Sequence, residues 1–119
     1  MKNINETINA LEMFRSGWAN DIREGWNCSI PGAKDVKFEL YTLSGNIILA
    51  LEQVNQGHYR DKMAMIMTKD KLQKLVKSKI FDSLSCISEA GFASIITTGT
   101  RHHIRVMFEA LEVLTSKEI

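Results

Sequence analysis

The hydrophobic period changes along this chain of 119 residues, and that change sets its fold class. Between Asn5 and Trp26, apolar residues fall at Ile8, Leu11, Phe14, Trp18 and Ile22, a spacing of three and four that predicts an amphipathic helix. Gly17 weakens its middle, Gly25 suits its end, and residues 27–33 read as a loop. From Val36 to Tyr41 the period drops to two, with Val36, Phe38 and Leu40 on one face, which predicts a strand. Ser44-Gly45-Asn46 is then a turn signal.

Ile47 to Val54 supports two readings. It fits the return strand of a hairpin across Gly45-Asn46. It also fits a helix, with Ile47, Ala50, Leu51 and Val54 on one face and Gly57 just past the C-cap. Lys62 to Met67, short and Met-rich, reads as a strand, with Met63, Met65 and Met67 as core filler or, alternatively, as an adaptable binding surface. Thr68 is the expected N-cap of a helix running to Ala90, with Leu72, Leu75, Val76, Ile80, Leu84 and Ile87 as its buried stripe and Gly91 as its stop. Residues 92–97 form a strand, Thr98-Gly99-Thr100 a turn, and Ile104, Val106 and Phe108 the second strand of a C-terminal hairpin. Glu109 to Leu114 closes the chain as a helix. The fold class is therefore α+β, one domain with an N-terminal helix, antiparallel strands, a basic helical region at 69–90 and a terminal hairpin.

Composition narrows the class of function. The longest apolar run, Ile47 to Leu51, falls far short of the roughly 20 residues of a membrane span. The polar start, Met1 to Glu6, is unlike a signal peptide, so the expected location is the cytosol. Cys28 and Cys86 are far apart and are read as reduced thiols. Net charge is only +1, but it is unevenly placed: residues 60–105 hold nine Lys or Arg against four acids, +5, and the remainder holds six against ten, −4.

Lys69, Lys71, Lys74, Lys77 and Lys79 sit in the first half of the expected helix from Thr68, where cations oppose the macrodipole. A helix with this pattern suits an anion such as phosphate, and a solvated Lys-rich face has the same pattern. The run Met67-Thr68-Lys69-Asp70-Lys71-Leu72, followed by Leu84-Ser85-Cys86-Ile87-Ser88-Glu89-Ala90-Gly91-Phe92, resembles the winged helix-turn-helix family of DNA-binding domains. The resemblance covers about residues 46–108. It implies a recognition helix over 79–90 carrying Ser83, and a wing from Thr97 to Ile104 that brings Arg101, His102, His103 and Arg105 to backbone phosphates. Its implied function is a small DNA-binding regulator. The alternative fold, a meander sheet packed by one unbroken helix over 69–90, is similar to the dimeric chaperones of type III secretion and implies a protein-binding module or homodimer. A break near Lys77-Ser78 favours the regulator, and an unbroken helix favours the module.

Gly99-Thr100-Arg101-His102 after a Gly-Phe strand is similar to the HicA-type RNA-cleaving toxins, which implies an acid–base role for His102. The simpler reading is a polar hairpin. The sequence has no Gly-rich phosphate loop, no nucleophile in a recognisable setting, no close acid pair and no metal-ligand spacing. The expectation is a binding protein without cofactor or metal, not an enzyme.

Overall fold

The computed structural model describes residues 3–23, 32–59, 61–85 and 96–116. Five helices follow in chain order: α1 (Ile4–Arg23), α2 (Ala33–Asn55), α3 (Lys62–Val76), α4 (Lys79–Ser85) and α5 (Thr98–Leu114). No strand occurs among the described residues, so the α+β class, its antiparallel strands and its C-terminal hairpin give way to an all-helical bundle. The wing implied by the winged-helix resemblance is the first turns of α5. The alternative meander sheet is likewise not formed among these residues. The expected loop at 27–31, the helix end at 86–90, Gly91 and strand residues 92–95 lie outside the described residues, as do Trp26, Cys28 and Cys86.

Helix α2 is the centre of the bundle and touches all four others. It runs through both the expected strand 36–41 and the expected turn 44–46, and it settles Ile47–Val54 as helical. Val36, Leu40, Leu43, Ile47 and Leu51 line its buried face at helical spacing. Leu40, Ile47 and Leu51 are fully enclosed, together with Leu11 of α1, Leu72 of α3, Leu84 of α4 and Met107, Leu111 and Leu114 of α5. Each such side chain contributes roughly 1.5–3 kcal/mol of apolar burial, so the packed faces stabilise the bundle more than helix propensity does.

Two polar features in the middle of α2 have tertiary partners. Ser44 is fully buried, and its Oγ lies 2.9 Å from Nε2 of His103 on α5. Gly45 leaves room for Arg15 of α1: a Cβ there would stand 2.6 Å from the Arg15 Nη2. The guanidinium lies 3.9 Å over the Tyr41 ring and its Nε donates to the Tyr41 carbonyl at 3.0 Å. Together with Asn55 donating to Asn5 at 3.1 Å, this contact shows α1 and α2 running in opposite directions.

The helix ends follow local chemistry. Asp61, not Thr68, caps α3, its carboxylate accepting from the Ala64 N–H at 2.9 Å. Thr68 lies buried inside α3 and donates its hydroxyl back to the Ala64 carbonyl at 2.8 Å. Ser78 separates α3 from α4: its N–H donates to the Leu75 carbonyl at 3.1 Å, and its hydroxyl accepts from the Phe81 N–H at 3.3 Å. Thr97 caps α5 by accepting from the Thr100 N–H at 3.1 Å. Gly57 stands just past the α2 C-cap, Gln56, as its position predicted.

Candidate functional site

The lysines expected to form one contact surface are distributed around α3. Because α3 begins at Lys62, Lys69 falls at its middle and Lys71 beyond it, and Lys74 lies in the last turn, where a cation favours the dipole. These lysines therefore do not mark an anion at the N-terminus of this helix. Lys69 is half-buried on the α5 side and pairs with Glu112 at 2.6 Å. Lys71 and Lys74 lie on the α2 side, along a groove whose other wall carries Asp35 and Glu39. Lys74 also pairs with Asp70 at 3.0 Å. Lys77 is the exposed C-cap of α3, and Lys79 is the exposed first residue of α4.

Arg101, His102 and Arg105 are exposed on α5. Arg101 reaches α4, donating to the Ser85 carbonyl at 3.2 Å. Ser83 is exposed, but its hydroxyl donates to the Lys79 carbonyl one turn back at 3.0 Å. Arg101 shares a pocket with Val76, Phe81, Asp82 and Ser85, while Lys71 and Lys74 line a separate groove.

A second surface lies on α3, where two of the three methionines match the alternative of a binding surface. Of the three methionines expected to fill a strand core, only Met65 is buried. Met63, Ile66 and Met67, spaced three and four apart, share the outer face of α3 and are 65%, 47% and 55% exposed. Lone exposed apolar residues are ordinary, but three adjacent on one helix face form a patch, and methionine adapts its shape to what it meets.

The third feature is internal. His103 is 1% exposed, with its ring 4.8 Å from that of Phe14 and 4.9 Å, edge-on, from that of Trp18. Its Nε2 faces Ser44, and its Nδ1 is buried without a partner. Burial first, then the charges of His102 and Arg15, push its pKa down from 6.5 to about 4, so the ring is neutral at pH 7. A Ser–His pair at 2.9 Å has the spacing of a nucleophile and its base, but both residues are enclosed by the core. The sequence singled out His102 for acid–base chemistry, and the neighbour is the enclosed ring. The signal was in the register: Thr100, His103, Ile104, Met107, Ala110, Leu111 and Leu114 recur at three and four, and all are buried.

Among the described residues, no three His, Cys, Asp or Glu side chains cluster to hold a metal, and no helix is long and apolar enough to cross a membrane. Comparison of the chain with family models, with curated proteins and with solved structures finds no match.

Proposed function

We propose that this domain works by binding protein, and that its partner is a second copy of the chain docked on the outer face of α3. The observation that carries this reading is the exposed triad Met63, Ile66 and Met67 on one helix face. Charge favours self-association. Lys62 lies four residues before Ile66 and Asp70 four residues after it. In an antiparallel pair of α3 helices crossing at Ile66, each Lys62 stands opposite the partner's Asp70, which is the self-complementarity a two-fold interface requires.

Sedimentation velocity over a concentration series tests this. The expected result is a shift from monomer to dimer in the micromolar range. Met63→Glu with Met67→Glu, which places unpaired charges in the interface, should weaken association by roughly 100-fold or more while leaving helical content unchanged. A wild-type chain that stays monomeric at all concentrations overturns the reading.

A second reading, contact with duplex DNA, is supported by one specific observation, the break between α3 and α4 at Lys77-Ser78. Two helices joined by a short turn are the arrangement DNA-reading modules use, and Lys77, Lys79, Arg101 and Arg105 would supply phosphate contacts beside it. Fluorescence anisotropy with a labelled duplex should then show affinity falling steeply with salt, because each neutralised phosphate releases counterions. Arg101→Glu with Arg105→Glu should abolish binding. No affinity at low salt removes this reading and leaves the first untouched.

A further inference from the structure

We propose that the partly open cleft lined by α1, α2, α4 and the start of α5 binds a small, neutral, single-ring aromatic alcohol of the phenol class. The cleft holds about 180 Å³. Protein interiors have few voids larger than a water molecule, and a dry apolar cavity of about 150 Å³ is enough to admit benzene. One ring therefore fits, and a drug-sized molecule does not.

The walls select the chemistry. Phe14, Trp18, Val36, Leu40 and Leu84 give an apolar, partly aromatic lining. Ring edges and faces of this kind favour another ring, set offset or edge-on.

The polar groups gather at one end, where Thr97 and Thr100 reach the cleft. Thr97 Oγ1 accepts from the Thr100 N–H at 3.1 Å and lies 3.1 Å from Thr100 Oγ1. Two hydroxyls carry two hydrogens, and their mutual bond uses one. The other is available to a ligand oxygen. Lys37 also lines the cleft and is itself engaged, and burying a carboxylate against the apolar wall costs more than burying a neutral hydroxyl.

The test is a titration of the ¹⁵N-labelled full chain with phenol, toluene and benzoate, followed by heteronuclear NMR. Phenol should bind saturably in the millimolar range or tighter, with shifts centred on Trp18, Leu84, Thr97 and Thr100. Toluene should bind more weakly and benzoate weakest. Thr97→Val with Thr100→Val, which keeps the shape and removes both hydroxyls, should lower phenol affinity about 3- to 10-fold and leave toluene affinity unchanged. Ala33→Leu, which fills the cleft from the first residue of α2, should remove both; where either variant fails to fold, the order of phenol, toluene and benzoate affinities for the unaltered chain decides alone. Absence of saturable phenol binding, toluene or benzoate binding tighter than phenol, or phenol affinity unchanged in the folded double variant overturns the proposal.

Discussion

Between pH 7.5 and pH 4 the domain should lose about 3 kcal/mol of unfolding free energy through one side chain, His103. In the folded chain its pKa lies at about 4, against 6.5 for an exposed imidazole. The unfolded chain therefore takes up this proton first as pH falls, and protonation draws the equilibrium towards unfolding. The stability that the neutral ring confers is complete above the unfolded pKa and drains away from pH 6.5 down to pH 4. At pH 5 roughly 2 kcal/mol should already be gone.

The structural cause is burial and, among the described residues, the charges acting on the ring are those of His102 and Arg15, both of which oppose an imidazolium. His103 lies between Phe14 and Trp18, with the Ser44 hydroxyl on Nε2 and the cationic Arg15 among the charges that oppose protonation. Urea unfolding followed by circular dichroism from pH 7.5 to pH 4 measures the loss. The double variant Ser44→Ala, His103→Leu removes the titrating ring together with the hydroxyl it would orphan, and its profile should be flatter in this window. Ser44→Ala alone should cost about 1–3 kcal/mol at pH 7, because it leaves both ring nitrogens buried without a partner. A wild-type profile parallel to that of the double variant contradicts this account.

The same cluster shows why the fold was only partly legible in the sequence. The α1 repeat was clear because Ile8, Leu11 and Trp18 span several turns, and all three are buried. The strand over 36–41 failed for a geometric reason. Alternation over five residues marks i, i+2 and i+4, and a helix also buries i and i+4. Only the middle residue separates the two periods, and Phe38 is 56% exposed while Val36 and Leu40 are buried. Met63, Met65 and Met67 invert the pattern, with only the middle one enclosed. Ile104, Val106 and Phe108 failed in the same way, with Ile104 buried and Val106 and Phe108 half-buried at the edge of α5.

Ser44-Gly45-Asn46 misled for a different reason. Small polar residues in the middle of a helix are costly by local propensity and so read as a turn. Their justification is tertiary: Ser44 meets a ring 59 residues away, and Gly45 makes room for an arginine of α1. Neither partner is visible in a local window. The basic surface was misplaced because taking Thr68 as the cap shifted the helix start by seven residues, which moved Lys69, Lys71 and Lys74 from the middle and end of α3 to the first half of an imagined helix.

Two glycines of α2 and its cap should respond to the same substitution in opposite ways. Gly32→Ala should destabilise the domain by about 2–3 kcal/mol, while Gly45→Ala should stay within about 1 kcal/mol of neutral. Gly32 caps α2 at φ +83°, in the left-handed region where a Cβ meets the following carbonyl. A Cβ there would also come within 2.3 Å of Ile80 Cδ1, so the end of the half-buried Ile80 side chain must shift. Strain and overpacking act in the same direction, and the smaller entropy of the unfolded alanine chain offsets only about 0.4–1 kcal/mol. At Gly45 the backbone is ordinary α-helix, and alanine gains about 1 kcal/mol of propensity. Against that gain, the new methyl displaces the mobile end of Arg15 and loses its bond to the Tyr41 carbonyl and its stacking on the Tyr41 ring, each worth about 0.5–1 kcal/mol. Thermal and urea unfolding of the two single variants measure the contrast. Equal destabilisation by the two substitutions would mean that neither the left-handed cap nor the Ile80 contact has the role assigned to it.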